Sequence, residues 1–412
     1  MADANRASIY LNASLAALPL LALWFWRQRR LSVAMPSKTV VVVGASWAGI
    51  NVAHGLLKEV PDAKVVLVNP SDEFFFNIAS PRVIAKPGDI AREKYLYQIV
   101  SLFEKYPNRK NAFDFVLGKA VSIDLEGKKV SVAENATTTD LAYDYLVIAS
   151  GSTSNATTGT ASLKVPFKAA QEGGQLESEI KAAQEAIKSA KSIIIGGAGA
   201  VGVEFAGEIT DAYPDTKVTL VTNTDSVLPI LKASPRQKAA KILKSKGVEV
   251  LTGKTVQAAE LDAATNKWTV TLADGEVLSA DAYISTTGSV PNNDFIPASL
   301  LNESGWVEVD AHFKVASTDS VYAVGDITHY SARLTSRIAG QVSVLVSNLK
   351  ADITGKGKRA AYDSNQTLMM LVPIGKSSGT GQIGGFTAPG FMVLLVKGRD
   401  YFTGSGMKFV AG

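Results

Sequence analysis

A chain of 412 residues, 46% hydrophobic and 19% charged, has room for two or three domains with real cores and is not a disordered polypeptide. Its net charge of +4, with no block of Lys and Arg interleaved with aromatics, argues against a nucleic-acid binder. The lack of cysteine removes disulfides, zinc–cysteine sites, iron–sulfur clusters and a redox-active dithiol, and His54, His312 and His329 show no metal-ligand spacing.

The N-terminal stretch Ile9 to Trp26 is apolar apart from Asn12 and Ser14, and Arg27-Gln28-Arg29-Arg30 follows at once. That is close to the roughly 20 residues a membrane-crossing helix needs. Trp24 and Trp26 stand where an interfacial belt falls, and the basic cluster comes after the apolar run, the reverse of a cleaved signal peptide. The stretch predicts a single-pass anchor with the folded part on the cytoplasmic side. A targeting segment or a helix lying on the bilayer surface are the alternatives.

Lys38–Val43 reads as a buried parallel strand, followed by Gly44-Ala45-Ser46-Trp47-Ala48-Gly49 and a helix over Ala48–Val60. This is a nucleotide loop: the first glycine allows a tight turn, the middle position admits the pyrophosphate, and the third lets helix pack on strand. The anion then meets free N–H groups at a helix N-terminus. Ser46 stands where the middle glycine is usual. Lys64–Val68 is the next strand and ends at Asn69, where an acid commonly binds a ribose hydroxyl; Asn69 can hydrogen-bond there without charge. Phe74-Phe75-Phe76-Asn77 and Pro81-Arg82 follow, either beneath a flavin ring or simply as core.

Phe113–Val132, with a turn at Glu126-Gly127-Lys128, reads as antiparallel strands. Asp144–Ala149 is an apolar strand ending in Ser150-Gly151-Ser152, Gly159–Pro166 a linker, and Glu177–Ser189 a helix. Ser192-Ile193-Ile194-Ile195 then leads into a second loop, Gly197-Ala198-Gly199-Ala200-Val201-Gly202, with all three glycines in place, and a helix over Gly202–Ala212. The strand Val218–Val221 ends without an acid to favour NAD or a neighbouring arginine to favour NADP, so the nucleotide choice stays open. Ser234–Lys246 is a basic helix capped at Gly247, and Trp268–Leu272 with Val277–Ala280 forms a hairpin around Asp274-Gly275. Tyr283–Thr287 closes this unit.

Val321-Tyr322-Ala323-Val324-Gly325-Asp326 is an apolar strand ending in Gly-Asp, which alone reads as a strand and a turn and, after a complete second nucleotide unit, as the Asp expected on the ribityl chain of a flavin. A helix, Arg337–Lys350, follows. The tail carries apolar stretches at Leu368–Ile374, Ile383–Phe386 and Phe391–Val396, expected to pack on the flavin domain. They suit either a lipid-facing cap around an acceptor pocket or plain domain packing.

Two dinucleotide loops in one chain imply FAD and a nicotinamide nucleotide held together. The expected class is α/β, with two Rossmann-like domains, a C-terminal α+β segment and an N-terminal apolar helix. The boundaries are 1–37 for anchor and linker, 38–165 and 288–360 for an FAD domain in two parts, 166–287 for the NAD(P)H domain, and 361–412 for the C-terminal segment.

On these residues the chain resembles the pyridine-nucleotide-disulfide oxidoreductase fold, and within it the ferroptosis-suppressor (AMID-like) branch of the apoptosis-inducing-factor family, relatives of type II NADH dehydrogenases. The resemblance spans about residues 38 to 412. It rests on Val42 to Gly49, Gly197 to Gly202 with Glu204-Phe205-Ala206-Gly207-Glu208, Val324-Gly325-Asp326, and the tail motifs Gly381-Gln382-Ile383-Gly384-Gly385-Phe386 and Lys397-Gly398-Arg399-Asp400-Tyr401-Phe402. It implies an FAD enzyme that oxidises NAD(P)H and reduces a quinone-like lipophilic acceptor. It assigns Gly44, Ser46, Trp47, Ala48, Gly49, Asn69, Arg82 and Asp326 to FAD, and Gly197, Gly199 and Gly202 to the nicotinamide nucleotide. Glu204 falls near the nicotinamide, with Lys397 and Phe402 near the flavin or quinone. A family lysine after Ser150-Gly151-Ser152 corresponds to Lys164 or Lys168. Relatives in this branch often carry an N-terminal lipid, which Met1-Ala2 does not allow, so the apolar segment is expected to supply the contact with membrane lipid. A homodimer is compatible with the resemblance. The alternatives kept beside this function are a flavin-dependent tailoring oxidoreductase of small-molecule biosynthesis and a non-catalytic redox-signalling protein.

Overall fold

The computed structural model describes residues 38–412 apart from 62, 107–108, 170–174 and 331–332. The expected anchor at Ile9–Trp26 lies outside the described residues. Among the described residues no helix is long and apolar enough to cross a membrane.

The apolar run Lys38–Val43 forms β1, with Val40 to Val42 fully buried, as a strand covered on both faces requires. Helix α1 (Trp47–Glu59) returns the chain to β2 (Ala63–Asn69), parallel to β1 from Lys38↔Ala63 to Val43↔Val68. After the short buried helix α2 (Ser80–Ala85), β3 (Phe113–Leu117) joins the far side of β2, also in parallel. The expectation of antiparallel strands from Phe113 onward therefore holds only after Leu117. There β4 (Lys119–Asp124), β5 (Lys129–Glu134) and β6 (Thr137–Ala142) make an antiparallel ribbon. Phe113 is drawn into the parallel sheet by stacking on Phe103 at 4.1 Å between ring centroids. Strand β7 (Tyr145–Ile148) lies on the other side of β1.

The second unit repeats the scheme. Helix α3 (Leu176–Ser189) leads to β8 (Ser192–Gly196), α4 (Ala200–Ala212), β9 (Lys217–Val221), α5 (Ala233–Ser245) and β10 (Glu249–Leu251). A three-stranded antiparallel ribbon follows: β11 (Val256–Asp262), β12 (Lys267–Leu272) and β13 (Val277–Ala280). Then β14 (Ala282–Ser285) completes a parallel sheet in the order β10-β9-β8-β14. The chain returns to the first sheet through β15 (Val321–Ala323), which pairs in parallel with β7 and gives the order β15-β7-β1-β2-β3. Helix α6 (Thr335–Thr354) follows it.

The C-terminal segment departs from expectation. Its sheet of β16 (Met369–Pro373), β17 (Gly379–Ile383) and β18 (Phe386–Thr387) packs on the second unit, because Val372 and Ile374 join the core that holds α4 and α5. Gln382 also accepts the Lys232 N–H at 2.8 Å, tying β17 to the start of α5. Only the end of the chain, with Tyr401 and Val410, enters the core of the first unit.

His54 on α1 is 2% exposed. In the tautomer these partners favour, Nε2–H donates to the Val410 carbonyl at 2.9 Å and Nδ1 accepts from the Tyr106 hydroxyl at 2.8 Å. Burial lowers its pKa to about 4, below the ordinary 6.5. The depressed folded value means that this histidine favours the fold above pH 6.5, and that the contribution is lost as pH falls towards 4. Stability should therefore drop by about 3 kcal/mol from this group across that window. Urea midpoints at pH 7.5 and 4.5 check this, and His54→Phe should remove much of the difference.

Candidate functional site

The first loop closes on itself for steric reasons. Gly44 has φ +105°, and a side chain there would strike the Ala149 carbonyl; a β-carbon on Gly49 would overlap the Gly44 carbonyl oxygen. Ser46 precedes α1 with its side chain making no cap bond, and the first turn of α1 carries no acid. The helix N-terminus therefore stays available to an anion. Asn69 Oδ1 accepts the Ala45 N–H at 2.9 Å, and Nδ2 donates to the Ser71 carbonyl at 2.7 Å. The amide braces the loop, and Asn69 also stands on the wall of the site.

A cavity of about 430 Å³ opens from this loop. It is lined by Gly44, Ser46, Trp47, Ala48 and Asn69 from the first unit, by Ala200, Val201 and Glu204 from the start of α4, by Asp326, and by Lys397 from the C-terminal segment. Phe74 and Phe75 contribute to its wall and are also buried, so core and cavity readings both hold for them. Thr335 and Ile338 bring the first turn of α6 to the same space. Both loops thus face one chamber. Gly49, Gly197, Gly199 and Gly202 are not among its lining residues. Gly197 has φ +104° and a β-carbon on Gly202 would overlap its carbonyl oxygen, whereas Gly199 has open space where a β-carbon would stand, as close approach of a ligand to the backbone requires. The tight first loop, its acid-free helix start and the shared chamber fit FAD, and the second loop fits a nicotinamide dinucleotide.

Two ion pairs border the chamber. Lys168 Nζ donates to Asp326 Oδ2 at 2.9 Å and to Ser152 Oγ at 2.7 Å. This separates the two lysines the sequence left open: Lys168 lines the cavity, while Lys164 pairs with Glu179 at 2.8 Å outside it. On the opposite wall Lys397 Nζ donates to Glu204 Oε1 at 2.6 Å and to the Leu371 carbonyl at 3.3 Å. Burial pushes the Glu204 carboxyl up to about 7, against the downward pull of Lys397. A carboxyl with a raised pKa thus faces the cavity.

Two expected side chains do not line the cavity either. Arg82 is 1% exposed and is not among the lining residues, its guanidinium taken up by Glu208 and the Arg399 carbonyl. Its neighbours Ser80 and Pro81 are the ones that reach the wall. Phe402 is half-buried against the first core, in edge contact with Phe409 at 6.2 Å, and does not line the cavity. Its expected place is taken by Lys397 alone, because the chain reverses at Tyr401 and Phe402, both with positive φ. One functional candidate escaped the sequence altogether. Arg236, fifteen residues past the end of β9, is carried back by α5 to the turn after that strand, with Nη1 on Ser226 Oγ at 2.9 Å and Asp225 Oδ1 at 3.2 Å. No local spacing rule reaches that far.

Comparison with known proteins agrees with this architecture. The family model "pyridine nucleotide-disulphide oxidoreductase" matches residues 38–345. The chain is 36% identical over 369 residues to the oxidoreductase ptaL of Pestalotiopsis fici, covering 87% of this chain and 95% of that protein. It is 29% identical over 395 residues to ferroptosis suppressor protein 1 of Xenopus tropicalis, covering 90% and 96%. The sulfide:quinone oxidoreductase of Aquifex aeolicus superposes with a TM-score of 0.71 over 90% of each chain at 18% identity, a likeness of fold. With paired dinucleotide loops, one chamber between them and this match, the chain belongs to the pyridine nucleotide-disulphide oxidoreductase family and is an FAD-dependent NAD(P)H oxidoreductase, without the cysteines that a disulfide relay would need.

Proposed function

We propose that the enzyme oxidises NAD(P)H and reduces a quinone-like acceptor that enters from a lipid surface. The overall change is NAD(P)H, a proton and a quinone giving NAD(P)⁺ and a quinol. When bound, FAD supplies the two-electron exchange between nicotinamide and acceptor. The chain's own residues orient the two nucleotides on the helix N-termini of α1 and α4, exclude water from the chamber, and hold a proton between Glu204 Oε1 and Lys397 Nζ. The observation that carries this reading is the set of exposed apolar side chains in the C-terminal segment that bears Lys397. Leu395 and Val396 precede it directly and are 65% and 44% exposed, and Phe386 and Phe391 are 83% and 68% exposed. Such exposed apolar side chains suit contact with acyl chains. The apolar Ile9–Trp26 stretch supports the same membrane placement.

A second reading, an oxidoreductase whose acceptor is a small molecule other than a quinone, stays beside it, because the chain is 36% identical to the oxidoreductase ptaL and 29% identical to ferroptosis suppressor protein 1. Anaerobic titration with NADH and NADPH, followed by reoxidation with ubiquinone analogues or a panel of non-quinone metabolites, separates the two. Fast flavin bleaching with fast reoxidation by quinone supports the first. Bleaching with reoxidation only by metabolites supports the second. Slow bleaching by both nucleotides would favour a non-catalytic sensor. The triple substitution of Phe386, Phe391 and Leu395 by Ser is expected to reduce flotation of the enzyme with liposomes and to raise KM for long-tailed quinones by about tenfold, with short-tailed analogues unaffected.

The strand end after β9 carries Thr222 and Asn223 and no acid, and Arg236 stands beside it. NADPH is expected to be used at least as well as NADH. Arg236→Ala should raise KM for NADPH about tenfold more than KM for NADH, the scale of one hydrogen bond to a charged group. Asp225→Asn, which releases Arg236 from its ion pair, should shift the ratio the other way.

A further inference from the structure

Behind the Glu204–Lys397 pair lies a second polar rung. Glu208 sits one turn beyond Glu204 on α4, and Tyr401 sits four residues beyond Lys397, its N–H donating to the Lys397 carbonyl at 2.6 Å. The two segments therefore meet twice, once at the cavity wall and once beneath it. The Glu208 carboxylate accepts from Arg82 Nε at 3.1 Å, Arg82 Nη2 at 2.8 Å, Lys86 Nζ at 2.8 Å and the Tyr401 hydroxyl at 3.1 Å. Arg82 Nη1 also donates to the Arg399 carbonyl at 3.0 Å, and the guanidinium lies 4.8 Å from the centroid of the Tyr401 ring. Glu208 and Tyr401 are fully buried, and Arg82 nearly so. One carboxylate thereby ties α2 of the first unit, α4 of the second and the C-terminal segment together.

The backbone around Lys397 depends on this tie. Lys397 rides on a wide π-type turn, Leu394–Gly398, and the chain then takes φ +53° at Tyr401 and +66° at Phe402. Residues with side chains adopt such conformations only where their surroundings hold them. The Arg399 carbonyl and the Tyr401 hydroxyl, the two groups held by Arg82 and Glu208, lie just before and within that reversal.

We infer that Arg82, Glu208 and Tyr401 are positioning residues, a buried clamp that holds Lys397 against Glu204 and sets the charge balance behind that pair; the inference rests on reading the cavity as the site of NAD(P)H-dependent reduction. The charged and titratable groups facing Glu204 are Lys397, Glu208, Arg82 and Tyr401, with Lys86, Asp89 and Asp211 in the next layer. Glu208 pushes the Glu204 carboxyl upward and Arg82 pulls it down. Removing each must therefore move Glu204 in opposite directions, which loss of packing alone would not do.

The test uses the full-length enzyme with its flavin. The infrared C=O band of the neutral Glu204 carboxyl, assigned by its loss in E204Q, is followed against pH without nucleotide, and flavin reduction by NADH and NADPH is followed by stopped flow. The Glu204 midpoint is expected to rise in R82Q and fall in E208Q. Y401F, which changes no charge, should leave the midpoint near the parent value and slow reduction at least threefold. R82K should restore part of the rate lost in R82Q. Midpoints that stay put in both charge variants, or move the same way, would overturn the clamp. If R82Q or E208Q fails to fold, Y401F and R82K decide it, and parental reduction rates in both of them overturn it. Failure of the parent enzyme to be reduced by either nucleotide would sink the functional reading instead, and the infrared arm would still judge the clamp.

Discussion

Lys397→Met is expected to lower NAD(P)H-dependent acceptor reduction by roughly 10²–10³-fold, the scale seen when one preorganised donor is removed from an enclosed site. The substitution keeps the length of the side chain and deletes the ammonium that meets Glu204 at 2.6 Å on the cavity wall. Flavin content should survive, because the loop that holds the dinucleotide, Gly44 to Gly49, lies on the other unit and is braced by Asn69 rather than by Lys397. The Glu204 carboxyl, already near 7 through burial, loses its main downward influence and must move higher. A rate limb governed by this carboxyl should then shift to higher pH in the variant. Glu204→Gln should cost a similar factor, and the double variant should lose much less than the product of the two, because the residues act as one pair. Steady-state rates with flavin absorbance on the same samples check this. A Lys397→Met enzyme within threefold of its parent would remove Lys397 from the chemistry.

The second large effect is structural. Gly49→Val should give a protein that is colourless, poorly folded, or both. Its β-carbon would overlap the Gly44 carbonyl oxygen at the place where α1 leaves the loop after β1. The neighbours cannot give way: Val40 to Val42 are fully buried, and the Gly44 N–H is tied to the Val68 carbonyl at 2.8 Å. Overpacking of this kind costs about 1–3 kcal/mol in a yielding core and more where backbone meets backbone. Flavin content per mole of soluble protein measures the outcome. Gly199→Ala is the matched control: open space surrounds that position, so the fold should persist, with any loss confined to nicotinamide affinity.

Much of the first sheet was legible from local pattern. Val40 to Val43 and Val65 to Val68 are continuous apolar runs that only a doubly covered parallel strand accommodates, and each meets a glycine or an amide at its end. The hairpin at Asp274-Gly275 was equally plain, because the turn dipeptide sits between two alternating strands. Phe113–Leu117 was not. Its composition suits either kind of strand, and its partner, β2, lies more than forty residues earlier. The C-terminal hairpin was assigned to the wrong neighbour for a similar reason, since the apolar run Met369–Pro373 says that the strand packs on something and not on what.

The site divides along the same line. Chain order alone settled what is local: two glycine loops, each between strand and helix, an Asp after a final parallel strand, and no cysteine to carry a disulfide relay. Which distant groups meet was decided only by packing. Lys168 rather than Lys164 turned to Asp326, Arg82 went under the wall to Glu208 instead of into it, and Arg236 came back to the strand end on a returning helix. Steric and hydrogen-bond rules within a loop act over a few residues and are written in the order of the chain. The approach of Lys397 to Glu204 joins residues 193 apart, and it depends on how three packed segments share one core.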